Sequence, residues 1–236
     1  MKAHFFTLVI FILLVAEGCY IYQPMTADVP LISRKNDSRL NIGVSIPPFL
    51  QVSYAHGLSN QIALHAHGCI IDREVNYSQF AVGYYKVKDT SSVFEFYTGF
   101  GVGQGEASRF RLLDISSTAR GNYQLIYEQL NYGITKNNRR FESGFSLKAG
   151  YMTSTVYDRS FYKPVNPNIP LKIYHNQCIL VEPMAFIKFG GKHLKFSFTY
   201  GITSLVKLPE SEKVIPYCPA AFSMSVNYRF EKLQNL

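Results

Sequence analysis

The chain is 236 residues long, 47% hydrophobic and 15% aromatic without Trp, and sets 24 Lys and Arg against 16 Asp and Glu for a net charge of +8. That length suits one closed domain, and the scattered basic residues lack the cluster or stacking motif of a nucleic-acid site, so no nucleic-acid partner is expected. Beyond the N-terminus every apolar stretch is broken by charge, Gly or Pro before the ~20 residues of a membrane helix, so a membrane-resident chain has to cross as strands.

The N-terminus reads as an export signal over residues 1–18: Lys2, the apolar run Phe5 to Ala16, then small residues before Cys19. Two cleavages compete. Ala16-Glu17-Gly18 fits ordinary secretion, and the same residues followed by Cys19 resemble a lipoprotein box, making Cys19 the candidate lipidation site. Residues 19–39 lack periodicity and hold Pro24, Pro30 and a mixed-charge stretch from Arg34 to Arg39, which reads as a periplasmic tether.

From Leu40 onward, apolar and polar residues alternate in repeated runs, the period of a strand with two unlike faces. Leu40, Ile42, Val44 and Ile46 alternate with Asn41, Gly43 and Ser45 until Pro47-Pro48, and Leu50, Val52 and Tyr54 alternate with Gln51, Ser53 and Ala55. Ile62, Leu64 and Ala66 then face away from His65 and His67, and a fourth run covers Gln79 to Lys88. The fifth sets Phe94, Phe96, Phe100 and Val102 against Glu95, Tyr97, Gly99, Gly101 and Gly103. A sixth, Tyr123 to Ile134, alternates too poorly for its faces to be assigned. Phe145, Leu147, Ala149 and Tyr151 oppose Ser146, Lys148 and Gly150 in the seventh. The eighth places Ile179, Val181, Ala185, Ile187 and Phe189 against Glu182 and Lys188, with Met184 and Phe186 on the polar side. Leu194 to Thr203 and Ala220 to Phe230 are the cleanest, with Lys195 and Arg229 on their polar rows.

About ten such runs, mostly of the ~9 to 11 residues a tilted membrane strand needs, predict a single antiparallel up-and-down transmembrane β-barrel over residues 40–231, with 232–236 as a tail. Short breaks at His56 to Asn60, Asp89 to Ser91, Lys136 to Asn138 and Gly190 to His193 alternate with long ones at Gln104 to Gly121, Asp158 to Leu171 and Leu205 to Pro219. Short periplasmic turns and long external loops give that pattern, although Pro47-Pro48 is a tight exception. A soluble lipocalin-like barrel has the same period with faces inverted. The charged rows argue for the membrane form: Glu95, Lys148, Glu182, Lys188, Lys195 and Arg229 form an expected lumen-facing polar network, costly to bury in an apolar-ligand pocket.

These residues resemble the outer-membrane β-barrel lipoproteins of Gram-negative bacteria. The likeness is carried by the signal ending at Cys19, Tyr22-Gln23-Pro24, Val29-Pro30-Leu31, Leu50 to Ala55, Phe96 to Gly103, Val181-Glu182-Pro183 and the closing Asn227-Tyr228-Arg229-Phe230. The last of these is similar to the aromatic-ended strand by which barrels are recognised for insertion, though six residues follow Phe230. The resemblance implies residence in the outer membrane, with membrane lipid and the assembly machinery as partners, and no assigned chemistry.

Motifs that suggest chemistry have simpler readings. Glycines at Gly99, Gly101, Gly103 and Gly105 recur within a strand, unlike a phosphate loop, and read as inner wall that makes room for bulky side chains from opposite strands, or that bends the strand. His65 and His67 share a face without a third ligand, so no metal is expected, nor any cofactor. Pro183 inside a strand implies a bulge or unpaired position, leaving Glu182 to pair with Lys148 or Lys195. No catalytic residue stands out. The leading expectation is a non-enzymatic surface, anchoring or narrow-transport barrel; the alternatives are an enzyme acting on lipid or peptide at the external rim, and the soluble binding barrel.

Overall fold

The computed structural model describes residues 21–22, 29–46, 49–72, 75–88, 91–111, 114–136, 140–158, 172–211 and 215–230. The expected signal 1–18, Cys19, most of the expected loop at Asp158 to Leu171 and the tail 232–236 lie outside them. Eleven segments follow in chain order: β1 (Ser38–Ile46), β2 (Phe49–Gly57), β3 (Ile62–Asp72), β4 (Val75–Lys88), β5 (Ser92–Arg111), β6 (Asp114–Lys136), β7 (Phe141–Asp158), β8 (Lys172–Gly190), β9 (Leu194–Ile202), β10 (Ser204–Lys207) and β11 (Ala220–Phe230).

Consecutive strands pair antiparallel from β1 to β9, β9 pairs β11, and β11 pairs back onto β1. The sheet therefore closes on itself, and among the described residues unpaired edges are confined to one end of the barrel, at β10 and the upper part of β5. β9 and β10 are two pieces of one stave, because β9 pairs Met184–Gly190 of β8 and β10 pairs Cys178–Val181. Glu182 and Pro183 fall in the gap, where Pro183 has no N–H to donate to a ladder. The molecule is thus a ten-stranded closed antiparallel barrel.

Its outer face is apolar over a band. Phe94, Phe96, Phe100 and Val102 on β5, Phe145, Leu147 and Tyr151 on β7, and Ile179, Ile187 and Phe189 on β8 all point outward and are exposed. This facing is the reverse of what the soluble binding barrel requires. At ~3.4 Å per residue the β5 row from Phe94 to Val102 runs about 27 Å along the strand, or about 21 Å of height at a tilt of about 40°, which fits within the apolar band of about 25 Å found in membrane barrels.

One end carries tight turns between β2 and β3, β4 and β5, β6 and β7, and β8 and β9; we call it the turn end, and the opposite end the loop end. At the loop end the expectation of a long loop from Gln104 to Gly121 is corrected: β5 and β6 continue beyond the apolar band as a hairpin and separate only at 112–113. Beyond the band neither face meets lipid, so the alternation that signals a strand is not required there. The outward row becomes Gln104, Glu106, Arg120, Asn122 and Gln124, with Glu106 and Arg120 paired at 3.5 Å.

The faces of β6 are now assigned. Tyr123, Leu125, Tyr127, Gln129 and Asn131 point inward and are buried, whereas Ile126, Glu128, Leu130 and Tyr132 point outward. Apolar residues on both rows, with Glu128 on the lipid side, erased the alternation.

The segment expected to be a tether is partly inside the barrel. Ile21, Tyr22, Val29, Leu31, Ile32 and Asp37 are each no more than 1% exposed. A ten-stranded barrel is wider than its own inward side chains fill, and apolar residues of this segment gain about 25 cal/mol per Å² by occupying the space. The barrel leaves room on purpose-placed glycines: Leu31 seats against Gly133, and Ile21 lies over Gly105 and Gly121. Leu31 itself has φ of 54°, a conformation rare for so bulky a residue.

Outward residues of a single strand separate the two zones. Arginine at Ile187, inside the apolar band, is expected to impair membrane insertion by about 2–4 kcal/mol, and arginine at His175, on the same row beyond the band, by about 0–1 kcal/mol. Folding titrations into lipid vesicles check this; equal effects at both positions contradict the placement of the band.

Candidate functional site

The inward rows of the strands converge on a charged lumen. Glu95, Lys148, Glu182, Lys188, Lys195 and Arg229 are all at most 4% exposed. Lys195 and Arg229 share one network, because Arg39 reaches both Glu142 at 3.2 Å and Asp37 at 4.0 Å, whereas Lys148 and Glu182 pair nearer the middle.

Nearest the middle of the barrel, Lys148 on β7 lies 3.7 Å from Glu182 on β8, its register partner. Glu182 Oε1 also accepts hydrogen bonds from the Tyr22 hydroxyl at 2.8 Å and from Thr203 at 2.9 Å. Thr203 occupies the break between β9 and β10, so the interruption at Pro183 brings a hydroxyl to the carboxylate. Lys148 further donates to Gln79 Oε1 at 3.3 Å and sits 5.0 Å from the centre of the Tyr127 ring. A buried cation and a buried carboxylate are tolerable only with this much local compensation.

Toward the turn end, Glu142 on β7 receives Lys195 at 2.6 Å and Arg39 at 3.2 Å. Lys195 thus pairs with Glu142 rather than with Glu182. Arg229 on β11 grips both oxygens of Asp37, through Nε at 2.8 Å and Nη2 at 2.6 Å, and donates to Ser33 Oγ at 2.6 Å. Such a two-point contact fixes the geometry as well as the charge. Lys188 donates to the Val29 carbonyl at 2.6 Å and to Asn227 Oδ1 at 3.1 Å. Glu95 accepts from the Ile32 backbone N–H at 2.6 Å and from Asn131 Nδ2 at 2.9 Å.

Asp37, Arg39 and Glu142 were missed from sequence. Arg39 and Asp37 sat in a stretch read as solvated tether, and Glu142 preceded the run taken as the start of its strand. Extending the β7 alternation backwards from Ser146 would have placed Glu142 inward.

Toward the loop end the interior is aromatic. Tyr22 packs edge-on against Tyr123 at 5.2 Å, and Tyr77 stacks on Tyr123 at 5.7 Å. The glycines of β5 face these rings: a Cβ at Gly101 would strike Tyr77, and one at Gly99 would strike Tyr127. The bulky groups come from the adjacent strands β4 and β6, rather than from across the barrel.

His65 and His67 face inward next to Tyr97, and among the described residues no group of three His, Cys, Asp or Glu is arranged to hold a metal. Cys69, Cys178 and Cys218 are buried free thiols. Hydroxyl-to-histidine contacts occur at both ends. Thr155 lies 3.3 Å from His175 beyond the apolar band, and Ser38 lies 2.7 Å from His56 at the turn end, on the outer face.

No protein-family model matches the sequence, and no curated protein matches it. Among solved structures, the chain is similar to the outer membrane protease OmpT from Escherichia coli, with a TM-score of 0.51 at 9% identity over 82% of this chain and 93% of that one. It also aligns with Ail, the attachment invasion locus protein of Yersinia pestis, with a TM-score of 0.38 at 12% identity over 83% of this chain and 99% of that one. The fold shared with OmpT is that of an outer-membrane β-barrel.

Breaking the central pair is expected to be costly. Lys148→Met, which leaves Glu182 buried without its cation, should lower stability by about 3–5 kcal/mol, and adding Glu182→Gln should restore most of the loss. Unfolding of the detergent-solubilised barrel, followed by the gel shift between heated and unheated protein, measures both; a double variant no better than the single one contradicts the pairing.

Proposed function

We propose that this protein is a non-enzymatic outer-membrane barrel that works as a closed structural platform rather than a channel, held also by lipid on Cys19, and presenting its loop end outside the cell. The observation that supports it is the filled lumen. Residues 21–22, 29–32 and Asp37 are buried within the barrel, and their side chains and backbone complete hydrogen bonds of Glu182, Glu95, Lys188 and Arg229. A conducting pore needs a hydrated path, and removing these partners would leave several buried charges uncompensated. A narrow-transport role accordingly fits less well than surface display.

The display surface is the hairpin that β5 and β6 form beyond the apolar band, joined by the upper parts of β7 and β8. Its outer face bears Gln104 and also Asn122, Gln124, Thr153, Thr155, His175 and Gln177, the latter six lining a shallow open hollow of about 520 Å³ with few formal charges. A rim of amides and hydroxyls at this height suits contact with the polar layer above the lipid, where hydrogen bonding has to replace burial.

Reconstituted wild-type protein is expected to give no steady conductance across a planar lipid bilayer, and a variant lacking residues 21–36 to conduct. Where the deletion fails to insert, Arg229→Gln, which only loosens the grip on Asp37, should raise the frequency of transient openings. Sustained conductance of the wild type overturns the closed-platform reading.

A further inference from the structure

The internal segment has a direction. At the loop end, the Ile21 and Tyr22 N–H groups both donate to the Pro216 carbonyl, at 3.0 and 3.1 Å, and the Cys218 N–H donates to the Tyr22 carbonyl at 3.2 Å. Tyr22 and Tyr217 form a parallel bridge. The 215–218 stretch leads into β11, which runs from the loop end to the turn end, so a parallel partner runs the same way. Ile21 to Tyr22 is therefore heading toward the turn end.

The rest of the segment keeps that course. Val29 is held by Lys188, two residues before the β8–β9 turn begins at Gly190, and Leu31 packs with Val93 and Phe186 near the same end. Asn36 donates to the Gly57 carbonyl where β2 ends, and Asp37 meets Arg229 one residue before β11 finishes. The step from Glu182, beneath Tyr22, to Lys188, beside Val29, is about 20 Å along β8. Seven residues of chain reach at most about 25 Å, so Tyr22 and Val29, held at these two levels, are placed in the order that runs from the loop end to the turn end.

We infer that the N-terminal segment threads the barrel from the outside inward, so that the mature N-terminus emerges at the loop end on the cell surface and not in the periplasm. This rests on the reading of the protein as an outer-membrane barrel with short turns in the periplasm. It inverts the usual expectation for a segment preceding the first strand. Cys19 lies two residues before Ile21, at most about 7 Å of chain, so acyl chains on it enter the outer leaflet. The N-terminal residues and the β5–β8 rim then form one exposed surface.

Three versions of the full-length protein test this, each carrying one short epitope: between Tyr20 and Ile21, after Glu210 at the loop end, or after Leu236. Antibody binding to intact cells is compared with binding after permeabilisation, and the heat-dependent gel shift reports that each barrel has assembled. The inference expects the first two tags to give equal signal before and after permeabilisation, and the last to appear only afterwards. A first tag that appears only after permeabilisation, with the Glu210 tag still open, overturns the threading and leaves the barrel reading intact. A hidden Glu210 tag with an open tag after Leu236 overturns the orientation, and the inference with it. A second measurement avoids inserted residues: Tyr22→Cys with Tyr217→Cys, in a chain whose Cys69, Cys178 and Cys218 are serine or alanine, should form a disulfide in assembled protein, because bridge-paired residues lie within bonding distance. Two free thiols after mild oxidation overturn the path.

Discussion

The structure depends on the cost of placing charge inside a closed sheet. Ten strands enclose more space than their inward side chains occupy, and the inward rows carry carboxylates and ammonium groups that cannot be left dry and unpaired. Two arrangements meet that constraint: water through an open channel, or protein that fills the space and completes the hydrogen bonds. Here the chain fills its own lumen, with Tyr22, Ile32, Val29 and Asp37 each answering a charged group on the wall.

The same constraint explains the unusual features of the wall. The break between β9 and β10 lets Thr203 turn its hydroxyl onto Glu182, and Pro183 tolerates the gap because it has no N–H to lose. Glycines at Gly105, Gly121 and Gly133 give the threaded backbone and the Leu31 side chain somewhere to lie. Alanine at any of them would collide with the segment before it affected the sheet. Pairing the polar groups with a separate element also couples the two: the barrel cannot be fully satisfied until the segment is in place, so wall and filling are expected to form in one cooperative step.

Function follows from what this leaves exposed. With the lumen occupied, the accessible surfaces are the apolar band and the polar rim above it. The fold shared with a protease at 9% identity speaks to architecture alone, and the histidine contacts of Ser38 and Thr155 lie at opposite ends of the molecule on its outer face. Under the proposed threading the platform is two-part, with the N-terminal residues and the rim on one side of the membrane.

The strands, their outward faces and the closing β11 were legible in the sequence, because lipid demands an apolar residue at every second position and Phe196, Tyr200, Met224 and Val226 obey it. So were six of the inward charges, Glu95, Lys148, Glu182, Lys188, Lys195 and Arg229, which stand out against such rows, while Asp37, Arg39 and Glu142 did not. Strand adjacency left Glu182 to pair with Lys148 or Lys195, and the structure pairs it with Lys148 and Lys195 with Glu142. What did not show was any feature free of that demand. β5 and β6 beyond the band looked like a loop because neither face meets lipid there. β6 hid its facing because Tyr123, Leu125 and Tyr127 turn apolar surface inward while Glu128 turns outward. Residues 21–22 and 29–37 looked like a tether because residues outside the sheet ladders have no period to read. Only the closed barrel decides their place: its width, its inward charges and its glycines exist together in three dimensions, and the preference of Ile21, Tyr22, Leu31 and Ile32 for that interior appears once the wall around them has formed.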